Sequence, residues 1–358
     1  MKSKTLLLIL TLFVSASLLG ACGAVAASNW SGVAADQDMV YLAHGSFVYA
    51  INLENQQELW RFPAEIDRNI TFFAAPVLTP DRQLLIGSYG PKEHNLYSVN
   101  PDNGSIKWKF DQAKGDYIAS PLATDTAIYA ANADGTLYAL DLNGKLLWTF
   151  KSEEPLWATP AINDACSCLF VPSMDHKLYA LNVETGEIRW ETGSLGGSMV
   201  ASPAFADDGT VYIGTFANEL VALSAENGAI LWRYKTDGFV WTQPQLVDGL
   251  LYFGDSKSTL YAVDTAGKEA WKVKVDGPIA TNPLIKNGNI HFTTGTDAVY
   301  AYDLEGNRVW QQTMEGLFQG PVISSGERLL VSPMNDQTAL YVLNENGIQQ
   351  WAFIPEQK

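Results

Sequence analysis

The sequence is poor in the side chains that most often bind metals or carry out catalysis. Its 358 residues include 3 cysteines and 4 histidines. No His-x-x-x-His or His-Glu-x-x-His spacing occurs among the histidines, so no metal site is expected. The sequence also has no phosphate-binding loop, no Gly-x-Ser-x-Gly motif and no dinucleotide-binding fingerprint. These absences argue against the common classes of nucleotide-dependent enzyme, serine hydrolase and metalloenzyme.

Basic residues are few as well. The chain has 23 lysines and arginines against 39 aspartates and glutamates, which gives a formal net charge of −16. Nucleic-acid binding needs clustered positive charge, so a nucleic-acid partner is not expected. The acidity itself is attributed mainly to solubility.

The one long apolar run lies at the start of the chain. Lys2 and Lys4 precede an apolar stretch from Leu6 to Leu19, and Leu19-Gly20-Ala21-Cys22 looks like a bacterial lipobox. This resemblance implies a lipoprotein signal peptide over residues 1–21, cleavage before Cys22, and a lipidated tether over residues 22–28. Cleavage after residues 24–26, which would release a soluble protein, is the alternative. Gly23 favours the outer membrane where the source has two membranes.

The rest of the chain is a repeat. Eight tryptophans stand 39 to 48 residues apart, at Trp60, Trp108, Trp148, Trp190, Trp232, Trp271, Trp310 and Trp351. Each follows an apolar or aromatic run, an Asp, Asn or Ser, and a turn, as in Tyr138-Ala139-Leu140-Asp141 before Asn143-Gly144. Runs of this length favour strands, and Asn-Gly favours a hairpin. A repeat of about 40 residues predicts one four-stranded antiparallel blade of a β-propeller.

Proline provides a second periodic signal. Pro76, Pro121, Pro160, Pro203, Pro244, Pro283 and Pro321 are predicted to occupy one equivalent position in the first strands of blades two to eight. Proline belongs on a sheet edge, and the innermost strand of a blade is such an edge. The sequence therefore predicts an all-β chain in which residues 29–358 form a single eight-bladed propeller. Its ring is expected to close by packing of blade eight on blade one, with strand exchange left open.

The tryptophan repeat resembles the tryptophan-docking repeat of quinoprotein-type, PQQ-like eight-bladed propellers. Quinoprotein dehydrogenases of this kind place an adjacent Cys-Cys disulfide against the quinone and hold Ca²⁺ through Glu, Asn and Asp. Here the corresponding pair is Cys166-Ser167-Cys168, one residue too far apart, and no Ca²⁺ ligand set can be assigned. An enzyme and a bound cofactor are therefore not expected. Cys166 and Cys168 could form a disulfide after export or rest as free thiols.

Two insertions single out one part of the rim. Residues 63–71 link blades one and two, and residues 88–95 interrupt blade two. Connections of these two kinds share one face of a propeller, and loops on a rigid scaffold often bind partners. The predicted partner-binding rim comprises Asp67, Arg68, Tyr89, Lys92, Glu93 and His94. A tolerated surface insertion is the alternative.

A second candidate site lies at the channel mouth. Trp157 and Trp241 stand three residues before Pro160 and Pro244, and the same spacing selects Phe73 and Phe318. Nearby polar residues include Ser120, Gln243 and Asn282. Such a set could form an aromatic pocket with polar donors. Packing between blades is the favoured alternative.

The lipid anchor, the single propeller and the missing catalytic constellation together resemble the BamB family of outer-membrane assembly lipoproteins. The resemblance implies a non-catalytic, membrane-tethered scaffold with a protein partner. Two other functions stay open. One is a quinoprotein-like redox protein, which requires PQQ with Ca²⁺. The other is a surface protein that binds a small ligand or glycan through Trp157 and Trp241.

Overall fold

The structure is a computed structural model that describes residues 32–164, 166–334 and 337–356. The predicted signal peptide, the lipidation site Cys22 and the tether over residues 22–28 lie outside the described residues. The described part of the chain contains no helix that could span a bilayer.

The first four blades contain sixteen strands. Their bounds are β1 (Gly32–Asp36), β2 (Met39–His44), β3 (Phe47–Asn52) and β4 (Gln57–Phe62) in blade one; β5 (Val77–Leu78), β6 (Leu84–Gly87), β7 (Leu96–Val99) and β8 (Ile106–Phe110) in blade two; β9 (Leu122–Ala123), β10 (Ile128–Ala131), β11 (Thr136–Leu140) and β12 (Leu146–Lys151) in blade three; β13 (Ala161–Asn163), β14 (Cys168–Pro172), β15 (Leu178–Asn182) and β16 (Ile188–Glu191) in blade four.

The last four blades contain sixteen more. They are β17 (Ala204–Phe205), β18 (Thr210–Thr215), β19 (Glu219–Ser224) and β20 (Ile230–Lys235) in blade five; β21 (Gln245–Val247), β22 (Leu250–Gly254), β23 (Thr259–Asp264) and β24 (Glu269–Lys274) in blade six; β25 (Leu284–Lys286), β26 (Asn289–Thr293), β27 (Ala298–Asp303) and β28 (Arg308–Thr313) in blade seven; β29 (Ile323–Ser325), β30 (Arg328–Val331), β31 (Leu340–Asn344) and β32 (Gln349–Phe353) in blade eight.

Each blade is a separate four-stranded sheet whose strands pair in chain order and antiparallel. The predicted fold, an all-β propeller of eight four-stranded blades, is confirmed. The second and third strands of each blade are almost wholly buried, whereas the fourth alternates between partly buried and exposed residues, as in β20. The apolar clusters each span two neighbouring blades, so the core is a ring of interfaces between sheets.

The repeated tryptophan joins each blade to the next. Trp108 at the end of blade two donates its indole N–H to the Leu142 carbonyl of blade three, at 3.0 Å. Its ring lies under Gly144, where an added Cβ would come within 2.5 Å of Trp108 Cε3. Gly144 also has φ +79°, a conformation that glycine adopts without steric cost. Gly144 therefore serves packing against Trp108 as well as the hairpin.

The proline alignment was wrong in blade eight. Six of the prolines directly precede the first strand of their blade, as Pro160 precedes β13, but Pro321 stands two residues before β29. The strand therefore begins one residue later than the proline spacing implies. This slip moves every residue that was aligned through Pro321, Phe318 among them.

The ring closes by packing, because β1–β4 and β29–β32 form two complete, separate sheets. The Tyr49 and Phe353 rings lie 5.6 Å apart across this interface. Arg328 of blade eight also forms an ion pair with Asp38 of blade one at 3.3 Å. No strand is exchanged between the first and the last blade in the described part of the chain.

The links between blades and the loops between second and third strands share one face, because successive strands alternate in direction. Backbone hydrogen bonds tie these connections together, for example from Tyr117 to Ser88 at 3.2 Å and from Phe216 to Ser198 at 3.0 Å. The face of the propeller that holds both candidate sites is therefore built from interlocked loops.

Candidate functional site: the rim of blades one and two and the channel mouth

The two insertions meet in the structure. We define the rim loops as residues 63–71 and residues 88–95. Thr71 and Tyr89 form an isolated antiparallel bridge, with N···O distances of 2.7 and 2.8 Å. Gly90 lies so close to the other loop that an added Cβ would stand 2.0 Å from the Asn69 carbonyl oxygen. The rim loops are thus one two-stranded unit rather than two separate insertions.

Asp116, in the link from blade two to blade three, fastens this unit to the next blade. One of its carboxylate oxygens accepts a hydrogen bond from Gly90 N at 3.0 Å. The same oxygen lies 2.8 Å from His94 Nδ1. Asp116 belongs to no repeated motif, and the sequence analysis missed it. A polar residue in a link beside an inserted loop was the only available signal.

Three of the six predicted rim residues build the loops. Asp67 accepts hydrogen bonds from the backbone and side chain of Asn69, at 2.8 and 2.9 Å. Glu93 accepts hydrogen bonds from Asn95 Nδ2 at 2.7 Å and from the Tyr97 hydroxyl at 3.1 Å. Burial, and then the neighbouring Glu93 carboxylate, raise the pKa of Tyr97 to about 12, so its hydroxyl stays protonated and donates. His94 is held by Asp116 as described above.

The other three face solvent. Arg68 and Lys92 are exposed and form no ion pair within the described ranges. Tyr89 is 36% exposed, and its ring stands edge-on to Phe73, with ring centroids 4.5 Å apart. Ile66, which the sequence analysis also missed, is 57% exposed on the same loop. We call these exposed apolar and cationic side chains of the rim loops, Ile66, Arg68, Tyr89 and Lys92, the exposed patch; Glu65 is also exposed on the first loop.

The channel-mouth polar residues are bonded from blade to blade. Ser120 Oγ donates to the Ala75 carbonyl at 2.9 Å, and Thr159 Oγ1 donates to the Ser120 carbonyl at 3.0 Å. Ser202 Oγ then donates to the Thr159 carbonyl at 2.8 Å. These bonds link four successive blades around the inner edge of the ring.

The same pattern continues into blades six and seven. Gln243 Nε2 donates to the Pro203 carbonyl at 3.2 Å, and Gln243 N donates to Asn282 Oδ1 at 2.7 Å. The polar groups predicted to receive a ligand therefore already have partners within the protein. Their geometry favours the packing alternative for Ser120, Gln243 and Asn282.

The four predicted aromatic residues do not form one wall. Phe318 is 0% exposed and packs in the core of blades seven and eight, which corrects its placement at the channel mouth. The reason is the one-residue slip at Pro321, which gives Phe318 the buried position held by Leu156 and Val240 elsewhere. Trp241 donates its indole N–H to the Ile279 carbonyl at 2.6 Å. Trp157 is 40% exposed and remains available as a ligand contact.

Two observations bear on the alternative that requires PQQ with Ca²⁺. No group of three or more His, Cys, Asp or Glu side chains in residues 32–164, 166–334 and 337–356 is arranged to hold a metal ion. The structure joins Cys166 and Cys168 through their sulfur atoms, with Cα atoms 5.1 Å apart. This pair lies in the β13–β14 turn, on the face opposite the channel mouth considered above. It cannot stack on a ligand held there.

Comparison with known proteins agrees with this architecture. Tetrathionate hydrolase of Acidithiobacillus ferrooxidans is 23% identical over 257 residues, covering 60% of this chain and 51% of that protein. The outer membrane protein assembly factor BamB of Yersinia pestis is 24% identical over 257 residues, covering 65% of this chain and 61% of that protein. The chain thus spans about half to three fifths of the length of these curated relatives.

The likeness to a solved structure of another protein supports only the fold. The crystal structure of BamB from Moraxella catarrhalis matches with a TM-score of 0.69 and 17% sequence identity, covering 84% of this chain and 90% of that one. The sequence profile of the family described as outer membrane protein assembly factor BamB matches residues 44–199, 174–281 and 256–356. These matches extend over well more than half of the sequence. The chain therefore belongs to the outer membrane protein assembly factor BamB family.

Proposed function

We propose that this chain is a non-catalytic scaffold of outer-membrane protein assembly that holds a protein partner on the exposed patch of the rim loops. The protein is exported and lipidated at Cys22, which tethers the propeller to the outer membrane. Family membership supports the assembly role, and the lipobox-like residues before Cys22 support the anchor. The rim loops supply the specific surface.

The proposal rests on one observation: some side chains of the rim loops fix the loops from within, and others face solvent. Asp67, Glu93 and His94 are used in internal hydrogen bonds that fix the loops. A loop that is already ordered before binding loses little conformational entropy when a partner binds, which favours affinity. The exposed patch of Ile66, Arg68, Tyr89 and Lys92 stands on that fixed base. Aromatic and arginine side chains dominate the energy of protein interfaces.

The side chains of the exposed patch also indicate the chemistry expected of the partner. Ile66 and Tyr89 present apolar area, and the expected complement is an apolar pocket. Arg68 and Lys92 are cations in a chain of net charge −16, and carboxylates around that pocket would pair with them. We therefore expect a folded protein with an apolar depression rimmed by aspartate or glutamate.

Site-specific crosslinking in living cells tests the proposal. A photoreactive phenylalanine analogue replaces Lys92 in the full chain, and a second sample carries it at Lys145. Lys145 is the matched control, because it is an exposed lysine in the β11–β12 turn on the opposite face. The expected result is a discrete crosslink from position 92 to a protein of the outer-membrane assembly machinery, with none from position 145.

Mass spectrometry of the crosslinked species identifies the partner. A crosslink of equal strength from position 145, or crosslinks from position 92 only to abundant unrelated proteins, would contradict the placement. Loss of membrane association in a Cys22→Ala variant tests the anchor separately, so that the failure of one part can be told from the failure of the other.

A further inference from the structure

The Cys166-Ser167-Cys168 turn has a structure that the scaffold role does not require. It joins β13 to β14, and the Ser167 N–H donates to the Asp164 carbonyl at 3.2 Å. Ser167 has φ +50°, a conformation that serine seldom adopts. The Cα atoms of the two cysteines are 5.1 Å apart, within the range that a disulfide allows. The turn therefore holds the two sulfur atoms together.

The two sulfur atoms differ in access. Cys168 is 2% exposed and belongs to the apolar core between blades four and five. Cys166 is only partly buried at the edge of that core, and Ser167 beside it is exposed. An incoming thiolate can therefore reach Cys166 far more easily than Cys168. Attack at one sulfur fixes which cysteine becomes the leaving group.

Arg189 stands beside the leaving sulfur. Its Nη1 atom donates to the Cys166 carbonyl at 2.6 Å and lies 3.5 Å from Cys168 Sγ. A cation next to a cysteine favours the thiolate, and a more stable thiolate leaves faster. The fold does not demand arginine here, because the same position before the repeated tryptophan holds Leu59, Lys107, Leu147 and Leu231 in other blades.

A groove on the same face gives a larger thiol compound room beside the turn. It has a volume of about 460 Å³ and lies between blades three and four. Trp148 and Ile162 supply apolar walls, Asp164 and Glu184 supply carboxylates, and Ser167 of the cysteine turn borders it. A thiol-bearing chain seated there would contact Ser167, which is the neighbour of Cys166 in the turn.

We propose that Cys166 and Cys168 form a thiol–disulfide exchange site that accepts electrons from thiolates. A thiolate forms a bond to Cys166 Sγ while the bond between the two cysteines breaks, and Cys168 leaves with the electron pair as a thiolate beside Arg189. A second thiolate then attacks the sulfur bound to Cys166, which releases the Cys166 thiolate. Overall two thiols become one disulfide, and the protein pair takes up two electrons and two protons.

The test uses the purified full chain in glutathione buffers of graded reduced-to-oxidised ratio. Maleimide labelling and peptide mapping report Cys166 and Cys168 separately from Cys22. The expected result is reversible conversion of the pair, with a glutathione adduct trapped at Cys166 in Cys168→Ser. The mirror variant Cys166→Ser should trap little adduct at the buried Cys168. A pair that never converts, or an adduct mainly at Cys168, would overturn the proposal.

Arg189 variants separate a chemical role from a structural one. Arg189→Gln should slow reduction about threefold, because the leaving thiolate of Cys168 loses its neighbouring cation. Arg189→Lys keeps the charge and should stay near the original rate, and Lys107→Gln is the matched control at the same strand position of blade two. Equal rates in Arg189→Gln and the original protein would contradict the assigned role of Arg189.

The source of the thiolate is resolved by a second arm. A reduced ten-residue peptide with one cysteine is compared with glutathione at equal thiolate concentration. Faster reduction by the peptide assigns the site to protein thiols that use the groove, and equal rates assign it to small thiols.

Discussion

The rim loops and the channel mouth share one face and similar side chains, but they use their polar groups differently. At the channel mouth Ser120, Ser202 and Gln243 each donate a hydrogen bond to the preceding blade. In the rim loops the internal bonds of Glu93 and His94 leave Arg68 and Lys92 exposed. The difference follows from the repeat, because a repeated position must serve the interface between blades, whereas a few contacts such as those of Asp116 suffice to hold the inserted loops and leave their other side chains exposed.

The comparison teaches where binding capacity resides in this propeller. Residues at the repeated positions form the contacts between blades that close the ring. Residues outside the repeat can be exposed at little cost to stability, since surface substitutions away from special features usually change it by less than about 0.5 kcal/mol. Substitutions in the rim loops should therefore weaken partner binding with little loss of stability. Substitutions at the channel mouth should lower stability and leave partner binding unchanged.

The largest effect is expected from Ile66→Asp at the exposed patch. Placing a carboxylate in an apolar pocket leaves it without solvent or a partner, so affinity for the rim partner should fall tenfold or more, or about 1.4 kcal/mol. The unfolding free energy should change by less than about 0.5 kcal/mol, because Ile66 is 57% exposed. Titration against the partner identified by crosslinking measures the affinity, and chemical denaturation measures the unfolding free energy.

Ile348→Asp is the matched control for that change. Ile348 is 59% exposed in the β31–β32 turn, on the opposite face. It should leave partner affinity unaltered. An equal loss in both variants would mean that the effect is one of general charge rather than of the rim.

A smaller, mixed effect is expected from Asp116→Ala. Removing the carboxylate leaves Gly90 N and His94 without their acceptor, and such a loss costs about 1–2 kcal/mol. Because the freed loop must be ordered again on binding, partner affinity should also fall severalfold. Hydrogen exchange of residues 88–95 should speed up in the free variant. Unchanged exchange there would show that Asp116 does not fix the loop.

The smallest effect is expected from Ser202→Ala at the channel mouth. It removes one hydrogen bond to the Thr159 carbonyl, worth about 1 kcal/mol of stability, and should leave partner affinity unchanged. Thermal unfolding and the same titration report both. A loss of partner binding without a loss of stability would reverse the assignment of the two regions.

The fold could be predicted from the sequence because the pattern that indicates a blade occurs eight times. Trp108, the turn glycine Gly144 and the aromatic strands each recur with the same physical reason, so an error in one copy is corrected by the others. Pro321 shows the limit of this reasoning. A residue that is displaced by one position cannot be recognised from spacing alone, because the strand start is set by hydrogen bonds to neighbouring strands.

The site was less predictable, because its residues do not recur. The loop lengths pointed to the rim, and Tyr89, Lys92 and their neighbours were selected on that basis. Asp116 and Ile66 were missed because the position of Asp116 beside an inserted loop and of Ile66 within one is too weak a signal to select a single residue. Only their contacts and exposure in the folded chain give them a role.

Hydrogen–deuterium exchange of the full chain, with and without the partner found by crosslinking, tests the central claim most directly. The account predicts slower exchange for residues 64–71 and 88–94 in the complex and unchanged exchange for residues 155–160 and 239–244 at the channel mouth. Protection at the channel mouth with no change in the rim loops would contradict it, and would make the exposed Trp157 the place where the partner binds.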